Sequence, residues 1–435
     1  MERTIFSELT RWQQDPHRKP LILRGARQVG KTTVVRQLGK QFDSFVELNF
    51  EESAHLCDIF ASNLDTTRII SDLQIMTGKT ISPGHTLLFL DEIQACPPAL
   101  LALRYLYESI PHLHVIAAGS LLEFAIEEVG LPVGRVSFLY LYPMSFIEFL
   151  LALDEAPLAE AILQQKATQP FSDPVHQKAL RLLGEYIAIG GMPESVYLWK
   201  KNKNYRQCVD VHHDLLTAYR QDFEKYARRS QIKYVEHVFQ QIPQQMGGQF
   251  RWSNIPGDFR ARELTPALEL LKKANVTTPI FQTAGWGIPL GAHANPKQFK
   301  LITLDIALAQ AQLGVTSEAW ILTPEKAFIN KGTVAEAMVG QELLAYANPR
   351  QHPQLFYWHR QKKSSQAEVD YLVSQNTHII PIEVKSGSGS TLKSLHQFLK
   401  ERPETPYGIR YSTQNYSVFE KIHSYPLYAV SSIAQ

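Results

Sequence analysis

The sequence predicts an α/β protein: a doubly wound parallel sheet at the N-terminus, a helical segment, a winged helix, and a second α/β sheet at the C-terminus. Three observations carry this. A glycine-rich turn, "GARQVGKTT" (25–33), joins a short apolar strand to a helix, and a continuous apolar run, "TLLFLDEIQ" (86–94), ends in two acids. The last third alternates strand-like runs with helices around a spaced set of acids and a lysine. Unbroken apolar runs are the mark of parallel strands covered on both faces.

"LILRGARQVGKTTVV" (21–35) reads as a strand, a loop and a helix from about Lys31 to Gly39, which is the context that the phosphate-loop pattern G-x-x-x-x-G-K-[ST] requires. Gly25 and Gly30 let the backbone turn. The N–H groups of Ala26, Arg27, Gln28, Val29, Gly30, Lys31, Thr32 and Thr33 then point inward, beside the positive end of the helix. Lys31 would reach the β- and γ-phosphates, and the Thr32 hydroxyl would bind Mg²⁺.

Asp91 and Glu92 close the second run at the carboxyl end of a buried strand, where open α/β sheets bind ligands. Asp91 would hold Mg²⁺, and Glu92 would polarise the attacking water. Alone, the same pair would read as a helix cap and a first-turn acid. "HLHVIAAGSLL" (112–122) is a further buried strand, ending in Gly119 and Ser120. Ser120 is the candidate γ-phosphate sensor between the two catalytic strands, with a plain turn as the alternative. "FVELNFEE" and "VSFLYLYP" bring the expected strands to five, alternating with helices.

The motifs "GARQVGKTT", "LNFEE", "LFLDEIQ", "AAGS", "VGR" with "LYPMSFIEFL", and "GGMPE" stand in an order that resembles the prokaryotic AAA-type ATPases carrying a C-terminal domain of unknown function. The resemblance covers nearly the whole chain. It implies ATP rather than GTP as ligand, and a homo-oligomer with shared ATP sites. Arg135, in "LPVGRVSF", stands where this family has an arginine. As a finger reaching a neighbour's γ-phosphate it would be worth about 10³-fold or more in rate. The other reading is a surface arginine at a strand start.

Expected domains are the ATPase at 1–150, a helical lid at 151–230, a winged helix at 231–290 and the rear domain at 291–435. In the lid, "GGMPE" reads as a helix stop with Pro193 restarting a helix. His212 and His213 fall on different helix faces and are not a metal pair. The winged helix expects a second helix near "IPGDF", a third at "TPALELLKKAN" and a following strand. Lys272, Lys273 and Asn275 are its few base-reading residues and Arg251, Arg260 and Arg262 its phosphate contacts, so protein docking competes with DNA reading.

The rear domain places Glu336 on a helix, Asp370 on one strand, and Glu383 and Lys385 on the next. Positions i and i+2 of a strand share a face, so Glu383 and Lys385 point together. Two carboxylates plus Glu336 can bind a hard cation, Mg²⁺ or Mn²⁺, and Lys385 could orient water or neutralise a scissile phosphate. The set resembles the PD-(D/E)xK fold of restriction endonucleases and Holliday-junction resolvases. That makes this domain restriction-endonuclease-like, with "EV" in place of the usual proline before Asp370 and Gln397 where some of that group place a glutamine. The alternatives are a surface ion pair, or a nuclease-like fold that only binds.

Over 435 residues, 44% hydrophobic and 20% charged content are ordinary for a multidomain globular chain. A net charge of +2 neither demands nor excludes nucleic acid. With no apolar run of membrane length and a charged N-terminus, the expectation is a cytoplasmic protein without a membrane partner. Cys57, Cys96 and Cys208 predict neither a disulfide nor a zinc site. Two functions follow as expectations. One is an ATPase coupled to binding, remodelling or processing of DNA, branched forms included. The other is an ATP-dependent protein-interaction switch with scaffold rear domains.

Overall fold

The computed structural model of the chain describes residues 1–130, 134–227, 230–315, 317–324, 327–328, 332–360, 367–385 and 391–434. The stretch "QKKSS" (361–365), which the sequence predicts as a basic turn, lies outside them. The chain divides into two compact units.

The first unit comprises Met1–Tyr142, Lys273–Asn275 and Asn348–His352. Its strands β1 (Leu21–Arg24), β2 (Ser44–Asn49), β3 (Thr86–Asp91), β4 (His114–Ala118) and β5 (Ser137–Tyr140) form one parallel sheet in the order β2-β3-β4-β1-β5. These are the five expected strands. Every residue of β3 and β4 is buried, which explains their unbroken apolar sequences. On one face, Ile22, Leu88, Leu90 and Val115 pack with Leu100 and Leu103 of the helix Pro97–Ser109. The helix Lys31–Gly39, placed where the sequence reading puts it, packs on β3 and β4.

One expectation is overturned. Cys57 and Cys96 are joined by a disulfide, with Cα atoms 5.5 Å apart. Cys57 follows β2 and Cys96 follows β3, and adjacent parallel strands send both connections out at the same edge. Their separation of 39 residues along the chain conceals this. Cys208 is a free, buried thiol. Among the described residues no helix is long and apolar enough to cross a membrane.

The second unit comprises Pro143–Lys272, Val276–Ala347 and Pro353–Gln435. Its strands β6 (Thr277–Thr283), β7 (Ala294–Thr303), β8 (Leu355–His359), β9 (Glu368–Gln375), β10 (His378–Val384), β11 (Gly408–Ser412), β12 (Ser417–Phe419) and β13 (Ile422–Pro426) make one mixed sheet, ordered β12-β13-β11-β10-β9-β8-β6-β7. The strand expected as the wing, β6, pairs antiparallel with β7 and parallel with β8, so it is an integral part of this sheet. "IPGDF" is not helical: a single turn at Trp252–Asn254 precedes it, and the next helix is Ala261–Lys273. Three glycines and two prolines over 243–257 leave too little helix-forming sequence there.

The helix Gly332–Ala345, with its buried residues spread over every face, runs through the core of this unit. It crosses β9 closely: a Cβ on Gly340 would lie 2.4 Å from Tyr371 Oη, whose hydroxyl donates to the Glu336 carbonyl. "GGMPE" behaves as read, with Gly190 at φ 76° ending the helix Asp173–Ile189 and Pro193 opening the next. Asp305 fastens this break. It accepts from Gly191 N, and from Ala307 N and Leu308 N at the start of the helix Ile306–Gln312.

Candidate functional site

The sheet order puts β4 between β1 and β3. The loop after β1, Asp91 at the end of β3, and Ser120 after β4 therefore lie side by side at the carboxyl edge, as the sequence reading requires. Gly30 has φ 99° and Gln28 φ 63°, the left-handed turns that coil the loop. Gly25 is needed for room: a Cβ there would stand 2.2 Å from the Leu141 carbonyl oxygen. Arg3 donates to the Val29 carbonyl within the loop and to the Tyr142 carbonyl, both at 2.7 Å, a clamp the sequence did not announce.

Lys31 is buried, and its Nζ donates to the Gly25 and Ala26 carbonyls at 3.0 and 2.8 Å. Burial pulls its ammonium down to about 8, against the opposing pull of Glu92 and Asp91. Thr32 Oγ1 donates to Asp91 Oδ2 at 2.8 Å. Burial raises the Asp91 carboxyl to about 6, partly offset by that hydrogen bond. A carboxylate costly to bury and a hydroxyl touching it are a donor set suited to a hard divalent cation, so these residues fit Mg²⁺.

Glu92 sits at φ 50°, its carboxylate accepting from Gln94 Nε2 at 2.6 Å. Gln94 Oε1 and Ser120 Oγ are both buried with no hydrogen-bond partner. Gly119 leaves room for that amide, since a Cβ on it would lie 2.1 Å from Gln94 Oε1. Gln94 was missed in the sequence, although "DEIQ" displays it. Arg27 lies 3.9 Å from Glu51, and the exposed Arg135 pairs with Glu108 at 2.8 Å.

In the second unit the expected residues meet, together with two that were not anticipated. Asp370 Oδ2 accepts from Val384 N at 2.7 Å across β9 and β10. Lys385, one residue past β10, pairs with Glu383 at 2.5 Å, while the other Glu383 carboxylate oxygen is buried and unpartnered. Glu336 pairs with Lys300 of β7 at 2.9 Å, and Lys300 also reaches Glu368 at 2.5 Å. Burial raises the Glu336, Asp370 and Glu383 carboxyls above the ordinary range. Burial also lowers the Lys300 ammonium, yet Glu336, Glu368 and Asp370 together hold it above the usual lysine range. Among the described residues no group of three or more His, Cys, Asp or Glu is placed to hold a metal ion. Gln397 turns to Glu401, one helical turn on.

Parallel order, phosphate loop and the Thr32–Asp91 contact define a P-loop nucleotide-binding domain. Residues 17–150 match the AAA domain family, and this part of the chain is an AAA-type P-loop ATPase domain. Residues 180–319 and 331–430 match two families described as domains of unknown function, DUF8612 and DUF4143. No curated protein matches the chain. Among solved structures, the chain is similar to the Walker-type ATPase PABY2304 of Pyrococcus abyssi, at 15% identity over 72% of this chain and 95% of that one, with a TM-score of 0.46. It is also similar to the Aeropyrum pernix ORC1 protein in complex with DNA, at 12% identity over 73% and 94%, with a TM-score of 0.25.

Proposed function

We propose that the chain is a Mg²⁺-dependent ATP hydrolase that assembles as a homo-oligomer and couples turnover to contact with DNA through its second unit. The observation that carries the hydrolase reading is the Thr32–Asp91 hydrogen bond beside buried Lys31. Backbone N–H groups of residues 25–33 would cradle the phosphates, and Lys31 would leave its loop carbonyls for the β- and γ-phosphate oxygens. Mg²⁺, held by Thr32 and Asp91, would neutralise charge on those oxygens. Glu92, steadied by Gln94, would polarise a water for in-line attack on the γ-phosphorus, with Ser120 donating to a γ-phosphate oxygen. Arg135, exposed on its own subunit, is suited to complete a neighbour's site.

The DNA reading is supported by the order helix, three antiparallel strands, helix and parallel strand that runs from Gly332–Ala345 to β11. It brings Asp370, Glu383 and Lys385 together as the nuclease-like resemblance implies. The second reading, a protein-interaction switch, is favoured by the Lys300 ammonium among the acids. The deciding experiment is steady-state ATP hydrolysis with and without duplex, single-stranded and four-way-junction DNA, with Lys31→Ala subtracting contaminants. Stimulation by one DNA form supports the first reading. A real, DNA-indifferent rate moves the coupling to a protein partner, and no hydrolysis above Lys31→Ala overturns the hydrolase reading.

A further inference from the structure

We propose that Lys300 is a built-in cation that takes the place of a divalent metal among Glu336, Glu368 and Asp370, closing the nuclease-like cluster to metal. This rests on the nuclease-like reading of those acids and not on the ATPase reading. Lys300 belongs to β7, the strand at the end of the sheet beyond β8 and β6, outside the segment that carries the other members. Only 1% of its side chain is exposed. Its Nζ lies 2.9 Å from Glu336 Oε1, 2.5 Å from Glu368 Oε1 and 5.2 Å from the centroid of the Tyr357 ring. Two carboxylates and a ring face thus surround one ammonium.

The residues expected to ligate a metal do not fit one as they stand. A hard cation takes about six or more oxygens. Here Glu336 Oε1 is paired with Lys300, Asp370 Oδ2 accepts from the Val384 N–H, and Glu383 Oε1 is paired with Lys385, its other carboxylate oxygen being the one left unpartnered. An entering metal would have to expel the Lys300 ammonium, whose side chain is only 1% exposed, from its pairing with Glu336 and Glu368. Three clustered acids in a buried site need positive charge, and this chain supplies it covalently. The consequence is a rear domain that keeps the nuclease-like framework and binds without cutting.

The test is Mn²⁺ binding, followed by loss of the free-ion electron paramagnetic resonance signal, in the full chain carrying Asp91→Asn to silence the nucleotide site. With Lys300 in place, adding Asp370→Asn should leave the Mn²⁺ isotherm unchanged. With Lys300→Met, the chain should gain about one Mn²⁺, and Asp370→Asn should remove it again. Mn²⁺ binding that depends on Asp370 while Lys300 is present would overturn the proposal and leave the nuclease-like reading standing. A folded Lys300→Met chain that binds no Mn²⁺ would overturn both, because the acids would then be no metal site at all. Lys300→Gln repeats the second arm if the methionine variant does not fold, and the Asp370 comparison with Lys300 present decides by itself.

Discussion

Thr32 Oγ1 donates a hydrogen bond to Asp91 Oδ2 at 2.8 Å, tying the start of the helix after β1 to the end of β3 across 59 residues of chain. Neither group alone is diagnostic, but their contact beside Lys31 is what a Mg²⁺–triphosphate requires. Thr32→Ala should lower kcat/KM for ATP by about 10²-fold and raise the Mg²⁺ needed for half-maximal rate. Thr32→Ser should restore most of both. A Mg²⁺ titration at fixed ATP reads the effect, and an unaltered Mg²⁺ requirement in Thr32→Ala would remove Thr32 from the metal.

Asp91 is held protonated up to about 6 by burial. Only the ionised carboxylate can hold the metal, so kcat/KM should fall as pH drops through about 6. Metal and proton compete for the same oxygens, so raising Mg²⁺ should move this acid limb to lower pH. The same shift has a stability sign. Between about 4 and 6 the folded chain binds the proton that the unfolded chain has released, so the contribution of Asp91 to the stability of the nucleotide-free protein declines as pH rises through that window. A limb indifferent to Mg²⁺ would belong to another group.

Glu92 and Arg135 are predicted to serve turnover rather than affinity. Glu92→Gln and Arg135→Ala should each keep nucleotide binding within about threefold while reducing kcat by about 10³-fold. Mixing Arg135→Ala with Lys31→Ala chains should recover some activity, because each would complete a different site. Recovery would place Arg135 in trans, and normal turnover in Arg135→Ala alone would reduce it to the partner of Glu108 seen here.

Gly119→Ala would force a methyl to 2.1 Å from Gln94 Oε1, and Gln94 steadies Glu92. The expected result is a loss of kcat larger than any loss of ATP affinity. Gln94→Ala in the same background, which removes the clash, tests whether the amide transmits it. Additive effects of the two substitutions would sink this coupling.

Asp305 accepts three buried backbone N–H groups, from Gly191, Ala307 and Leu308. Asp305→Ala strands all three donors and should cost about 3 kcal/mol or more in unfolding free energy, with Asp305→Asn recovering part. Chemical denaturation reads this directly. A loss under about 1 kcal/mol would mean that water or a shifted backbone replaces the carboxylate.

Much of the first unit was legible because its signals are local. The loop "GARQVGKTT" carries its own turn, and the buried runs of β1, β3 and β4 show as continuous apolar sequence. "DEIQ" also displayed Gln94, but nothing in the sequence said that its amide would meet Glu92. In the second unit, Asp370, Glu383 and Lys385 were legible from strand spacing, while Lys300 was hidden inside "FKLI", where a lysine in an apolar run hints only at a buried charge.

By itself the sequence determined the phosphate loop, the five strands alternating with helices, and the acids at the end of the third strand, because each rests on chemistry within a few residues. Tertiary structure alone decided the Cys57–Cys96 bond, the joining of β6 to the rear sheet, and the cation that sits among the rear acids. Those depend on which strand lies beside which. Strand neighbours are chosen by the packing of the whole unit, so residues far apart in the chain, such as Lys300 and Glu368, become partners without any local mark of it.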